Sequence, residues 1–253
     1  MNNIQLDSPS IPETWSGELQ QVRAELAGGD TLRSQDVNDL EALWRPRLLI
    51  PEREEEQFDL IGTNGRPTGV VAPRWLCHLL GLRHWAVHVV LRSPQGMTVL
   101  QVRSRHKADW PGLLDLAVTG HVRAGQGLCE AAIAELGEEL GVVLHHLTNG
   151  KLERVGEPYL RRDTDPIRPL FLNVQFNAIY KGSLTPAGMA ALHFRDREVE
   201  AIYLCREEEV ERIVRESTHA APALRYSWPR YRQAIALSIY MTEGEEGKCS
   251  DPS

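Results

Sequence analysis

The chain has 253 residues, 42% hydrophobic and 25% charged, with 28 Lys and Arg against 35 Asp and Glu and a formal net charge of −7; this is the composition of an ordinary water-soluble protein with ample length for a buried core. The acidic balance excludes a protein built to grip a nucleic-acid backbone, which needs a basic surface to displace counterions, but leaves nucleotides open as small substrates. Cys77, Cys129, Cys205 and Cys249 stand far apart with no CxxC pair, which excludes a zinc ribbon and a dense disulfide framework and points to a reducing, cytoplasmic compartment.

Residues 1–12 carry Ser-Pro and Ile-Pro steps and are expected to be a flexible lead; they lack the basic start and apolar stretch of a signal peptide, and no apolar run reaches the roughly 18 residues of a membrane span. Trp15, Leu19, Val22 and Leu26 recur at helical spacing before the Gly28-Gly29 stop. A second helix is expected with Asp36 as its cap, Val37, Leu40 and Leu43 or Trp44 as its buried stripe, and its end before Pro46. An acidic run from Glu52 to Glu56 leads into Phe58-Asp59-Leu60-Ile61. The runs 86–91 and 98–102 are β-rich and flank Ser93-Pro94-Gln95-Gly96, which predicts a hairpin. Further strands are expected over 113–118, 171–179 and 201–204, with helices over 128–140, stopped by Gly141, over 207–216, and over 229–242 with Pro229 in its first turn. The tail from 244 to 253 is expected to be disordered. Strands interleaved with helices make the fold class mixed α/β or α+β. The tryptophans read mostly as core or interface anchors, with base stacking by Trp85 or Trp110 as the alternative, and Cys129 on the apolar side of helix 128–140 reads as core packing.

The chemistry concentrates in GHVRAGQGLCEAAIAELGEELGV, residues 120–142. With Glu135 at zero on a helix of about 100° per residue, Glu139 falls near +40° and Glu138 near −60°, so three carboxylates share one face beside an apolar stripe. An isolated pattern of this kind is commonly a solvated helix face. Carboxylates so clustered repel one another unless a cation sits among them, and a hard divalent ion that also bridges phosphate oxygens is the use their chemistry suits.

In its order of strand, glycine loop and helix this segment resembles the Nudix box, the signature of hydrolases that cleave nucleoside diphosphates linked to another moiety. Gly120, Glu135, Leu136, Glu138, Glu139, Gly141 and Val142 keep the family pattern, whereas Gln126 stands where it has Glu and Ala134 where it has Arg. The resemblance implies an α/β/α sandwich with a mixed sheet, over residues 51–205, between an N-terminal helical extension (1–50) and C-terminal helices packed on the domain (206–243). It implies a Mg²⁺ or Mn²⁺ ion held by Glu135, Glu138 and Glu139, with Gly120 contributing to the metal site. The family's Arg orients those carboxylates by ion pairing, which Ala134 cannot do; weaker metal binding, a substitute cation from elsewhere and an inactive descendant are the three consequences left open.

Beyond the box, Phe58-Asp59, Gly65, Gly69, His78, Gly81-Leu82-Arg83-His84, Val102 to Arg105, Trp110-Pro111-Gly112 and Gly120-His121-Val122 look like the branch related to type I isopentenyl-diphosphate isomerase. By that resemblance Arg103 and Lys107 face the diphosphate, with Arg105, His84 and His121 as further substrate-side residues; Arg offers a planar fork to phosphate and Lys a mobile point charge. The isomerases hold a metal with three His and two Glu and use a Cys before Gly-His. Here that Cys is Thr119, the two carboxylates are Asn173 and Gln175, and His78 lies one residue off register. An allylic proton shift needs an acid and a base on opposite faces of the alkene, and those groups are missing. The reading is therefore a metal-dependent hydrolase of a diphosphate linkage in a nucleotide-type or other small-molecule pyrophosphate. A catalytically weak or inactive binding protein on the same fold is the alternative, and isomerisation comes third. The partner expected is the small-molecule diphosphate; the N-terminal helices would serve either a homodimer with a second copy of the chain or as a cover for the site, and neither nucleic acid nor membrane is expected.

Overall fold

The structure is a computed structural model, and it describes residues 13–26, 31–50, 55–107, 109–165, 168, 170–194 and 197–241. The expected N-terminal lead and C-terminal tail lie outside the described residues.

Helix α1 (Glu13–Glu25) follows its apolar spacing and is tied down through Arg23, whose guanidinium donates to the carbonyls of Leu79 and Leu170, each at 2.6 Å. Helix α2 (Ser34–Arg47) corrects two expectations. Asp36 is not its cap but sits one turn in, accepting from the Arg33 N–H at 2.8 Å, and Pro46 lies inside the last turn. Burial of Val37 and Trp44 under the first core keeps the helix going where a proline would end an isolated one.

An antiparallel pair, β1 (Gln57–Ile61) and β2 (Pro67–Pro73), and the buried helix α3 (Arg74–Leu80) close this N-terminal core around Phe58, Trp75, Leu76 and Leu79. Neither β2 nor α3 is marked in the sequence, because both are short and apolar with no clear period.

Strand β3 (His84–Arg92) is the hub of a seven-stranded mixed sheet. It turns at Ser93 to Gly96 into β4 (Thr98–Arg103), which confirms the hairpin. The run 113–118 divides into β5 (Leu114–Leu116), which pairs with β4, and β6 (Val118–His121), which pairs with β3. Helix α4 (Leu128–Leu140) occupies the expected residues. It ends at Gly141 with φ 68° and a Val142 N–H bond of 3.2 Å to the Leu136 carbonyl. A side chain at Gly141 would also overlap the His193 ring.

The unforeseen β7 (Glu153–Thr164) pairs antiparallel with β8 (Leu172–Ser183), which lies parallel to β3. A short helix α5 (Pro186–Ala190), strand β9 (Val199–Cys205) on the far side of β4, and helices α6 (Glu207–Glu216) and α7 (Pro222–Met241) complete the chain. Helix α7 begins earlier than expected: Pro222, not Pro229, sits at its start, and Pro229 lies within it. Leu224, Trp228 and Tyr231 form a stripe buried against the sheet, and that burial outweighs the backbone bond Pro229 cannot make.

The sheet carries a helix layer on each face. Val87, Val89, Val118 and Ala178 pack against Ala132, Leu136 and Leu140 of α4, while Val90, Leu100 and Ile179 on the other face pack against α6 and α7. This is the α/β/α sandwich expected.

Candidate active site

Strand register decides which polar groups meet. Arg161 lies opposite Gln175 and Gln175 beside His84; Tyr159 lies opposite Asn177, Asn177 beside Ala86, and Ala86 opposite His121. Cross-strand partners project to one side, so four strands present a single polar face. Toward α7 it is sealed, since the Ser227 hydroxyl meets both His88 Nδ1 and the Tyr159 hydroxyl at 2.6 Å. Elsewhere it opens into a cavity of about 720 Å³, whose walls also include Gly120, Glu135 and Glu138 of the box segment.

The carboxylates come together as the helical spacing required. Glu139 is 1% exposed; its Oε2 accepts from Gln101 Nε2 at 3.1 Å and from the Thr119 N–H at 3.3 Å. Its Oε1 has no hydrogen-bond partner, with Lys107 Nζ 3.6 Å away. Burial pushes the Glu139 carboxyl up to about 7, with Lys107 opposing and Glu198 adding to the rise. Burial, then Glu139, Glu138, Glu56 and Glu198, push Glu135 up to about 9. A Cβ on Gly120 would overlap the Glu135 carboxyl, so only glycine lets that carboxyl lie against the strand backbone. A buried orphan oxygen and mutually repelling carboxylates, with oxygen as the only donor type, fit a hard divalent cation.

The cation that Ala134 cannot supply comes from Arg123, on the loop after β6. Its Nη2 donates to Glu138 at 3.2 Å and its Nε lies 3.6 Å from Glu56, which Arg74 also binds at 2.9 Å. Glu56 belongs to the acidic run to which the sequence assigns no role; the structure places it at the cavity wall.

The expected substrate-side residues divide. Arg103 lines the cavity and is 6% exposed, donating to Asp115 at 3.2 Å and to the Asp109 carbonyl at 2.8 Å. Lys107 lines it too, but its ammonium lies 2.5 Å from Glu198 and, against the effect of burial, holds that carboxyl below its usual range. Arg105 stands apart: its side chain is 83% exposed against Glu200 and is not part of the cavity wall. Trp110, read as core, lines the cavity with φ 53°, a left-handed conformation unusual for a bulky residue before proline.

His84 and His121 meet the residue read as off register: helix α3 brings His78 into a set whose ligand atoms all lie within 4.8 Å of one another. Phe58 stacks on His84 and His121. His84 Nδ1 donates to the Leu82 carbonyl at 2.9 Å, leaving Nε2 a lone pair; that atom and His78 Nε2 have no partner. Burial, with Arg74 and Arg161 nearby, holds His84 down at about 4 and His78 and His121 well below their usual value, so all three are neutral at pH 7. The two positions where the isomerase branch has carboxylates are amides chained to each other and onward: Asn173 Nδ2 donates to Gln175 Oε1 at 2.7 Å, and Gln175 Nε2 to Asn177 Oδ1 at 2.5 Å.

Comparison with known proteins agrees with this geometry. The profile of the NUDIX domain matches residues 82–229, more than half of the chain. Nudix hydrolase 3 of Arabidopsis thaliana is 34% identical over 157 residues, covering 61% of this chain and 20% of that protein. An isopentenyl-diphosphate Delta-isomerase of Saccharopolyspora erythraea is 31% identical over 93 residues, covering 37% of this chain and 48% of that one. The chain thus spans between a fifth and about half of the curated relatives it matches. A crystal structure of a Deinococcus radiodurans protein superposes with a TM-score of 0.53 at 22% identity, covering 70% of this chain and 99% of that one, and shares the fold. With the family profile over most of the sheet, and the box glutamates on α4 against Gly120, the chain belongs to the Nudix family.

Proposed function

We propose that the protein is a Mg²⁺- or Mn²⁺-dependent hydrolase of a diphosphate linkage in a nucleotide-type or other small-molecule pyrophosphate. The observation that carries this reading is the crowded and partly orphaned face of Glu135, Glu138 and Glu139, of which Glu135 and Glu138 line a cavity that also holds Arg74, Arg103 and Arg123. When bound, a divalent cation supplies charge neutralisation of the diphosphate oxygens. Glu135, Glu138 and Glu139, with the backbone of Gly120, would hold it. Gln101 and the Thr119 N–H fix one oxygen of the Glu139 carboxyl and leave the other without a hydrogen bond, 3.6 Å from the Lys107 ammonium. Arg103 is held in place by Asp115, Thr119 and the Asp109 carbonyl, and it would meet phosphate oxygens with its charge and its remaining Nη2 N–H. Glu138, Glu139 or, outside the box, Glu198 would accept a proton from the attacking water.

The inactive-protein reading leans on Ala134 and Gln126; against it, Arg123 occupies the role of the missing arginine. Isomerase activity is disfavoured by Thr119 and by the amides at 173 and 175. We place the protein in the cytoplasm; among the described residues no helix is long and apolar enough to cross a membrane. The test is ³¹P NMR of the purified protein with Mg²⁺ and then Mn²⁺, over nucleoside di- and triphosphates, nucleotide sugars, ADP-ribose, a dinucleotide and isopentenyl diphosphate. Metal-dependent cleavage that disappears in Glu139→Gln is the expected result; binding without turnover of any member would support the inactive protein.

A further inference from the structure

Two arginines in the cavity wall have no part in the carboxylate site. Arg161, on β7, is 7% exposed and Arg168, on the segment between β7 and β8, is 5% exposed. Each is oriented by carboxylates: Arg161 Nε donates to Asp163 at 2.6 Å, while Arg168 Nε donates to Asp165 at 2.9 Å and its Nη1 lies 2.5 Å from Asp109. The Arg168 guanidinium carbon lies over the Phe171 ring, 4.1 Å from the ring centroid. Yet Arg161 Nη1 and Arg168 Nη2 are both buried and have no hydrogen-bond partner among the described residues, although both side chains line the cavity. A buried guanidinium N–H without an acceptor costs on the order of 1–3 kcal/mol or more, and two in one wall call for a common explanation.

The surroundings say what kind of acceptor suits them. The imidazoles of His78, His84 and His121 bring no charge, and the charged groups that act on them most are Arg74, Arg161 and, at His78, Arg168. This part of the wall holds guanidinium groups that are paired with carboxylates yet keep an N–H to spare, while Glu135 lies in a field of carboxylates. A diphosphate drawn to a cation on the Glu135 side leaves the arginine pair for another part of the same molecule. The geometry points to a second oxyanion site at Arg161 and Arg168, so that the substrate class is a diphosphate-linked small molecule carrying a further phosphate monoester or carboxylate. This rests on the hydrolase reading for the word substrate, but the anion site itself does not.

The test is equilibrium binding to the full-length chain in EDTA, which removes any contribution from a divalent cation. Inorganic phosphate and malonate are titrated by calorimetry against the unmodified protein, Arg161→Lys and Arg168→Lys. Lysine keeps a charge against Asp163 or Asp165 but not the fork, and near-ultraviolet circular dichroism verifies that each variant is folded. One-to-one binding, weakened at least tenfold in both variants, is expected. Phosphate binding without malonate assigns a phosphate monoester, and the reverse assigns a carboxylate. No saturable binding of either, or binding undiminished in folded variants, overturns the site. In the same buffer NADP⁺ should bind at least tenfold tighter than NAD⁺, and coenzyme A tighter than its dephosphorylated form, if the anion is a phosphate monoester; equal affinities within both pairs would overturn that assignment. Should the anion bind as expected while no diphosphate is cleaved with Mg²⁺ or Mn²⁺, the hydrolase reading falls and the oxyanion site stands.

Discussion

Replacing Glu139 by Gln should stabilise the metal-free protein above neutral pH, an unusual result for a buried residue. A carboxyl held at about 7 by burial, against 4.5 in an open chain, costs about 3 kcal/mol to ionise inside the fold. Between those two values the folded state holds more protons than the unfolded one, so stability falls as pH rises and the full penalty is present once Glu139 is ionised. Glu135, held at about 9, extends the fall further up the pH scale. Glutamine fills nearly the same volume and keeps an oxygen for Gln101 and the Thr119 N–H, so the penalty goes while those two bonds remain. After allowance for the lost Lys107 contact, the gain expected at pH 8.5 is about 1–2 kcal/mol, or roughly 2–8 °C in Tm for a domain of this size. The assay is thermal unfolding in EDTA from pH 5 to 9, repeated with Mg²⁺. The unmodified protein should lose stability with pH and regain it with Mg²⁺; Glu139→Gln should show a shallower slope and a smaller response to the metal. A variant that is less stable than the parent at pH 8.5 in EDTA, with the same slope, would refute the reasoning.

Arg123→Ala removes the cation beside Glu138 and Glu56; we expect the Mg²⁺ concentration for half-maximal activity to rise about tenfold, while the free energy of unfolding changes by no more than the ~1 kcal/mol of a partly exposed ion pair. Gly120→Ala drives a methyl into the Glu135 carboxyl and should reduce kcat by about a hundredfold, with the fold kept as judged by circular dichroism. Ser227→Ala strips one hydroxyl from both His88 and Tyr159 in a buried setting, and chemical denaturation should show a loss of about 1–3 kcal/mol with kcat little changed.

Local rules in the sequence sufficed for the hairpin of β3 and β4, for α4 with its glycine stop, and for α6, because period and turn chemistry agree there. They failed where burial overrode a local preference. Pro46 and Pro229 both sit inside helices whose apolar stripes are covered, and α3 and β2 carry no period because nearly all of α3 is inside. The partners of the site were legible in part. Glu135, Glu138 and Glu139 lie within two helical turns, so the sequence alone put them on one face. Their supporting groups are remote in the chain: Gln101 from β4, Lys107 and Glu198 from loops, and Glu56 from an acidic run indistinguishable from a solvated one. His78 looked misaligned because a count of residues cannot show that α3 aims its ring at His84 and His121.

What the sequence by itself determined is the short-range chemistry: a helix with a carboxylate face, a glycine against which one carboxyl can lie, and the family to which that spacing belongs. What only the tertiary structure decided is the electrostatic balance of the cavity. It brought Arg123 to the carboxylates that Ala134 leaves unpaired, left Arg105 in solvent, and used strand register to carry Arg161 onto the same face as Gln175 and His84. The physical reason is range: helical periodicity fixes neighbours within a few residues, whereas desolvation and Coulomb terms depend on which distant segments the packed sheet brings within a few ångströms.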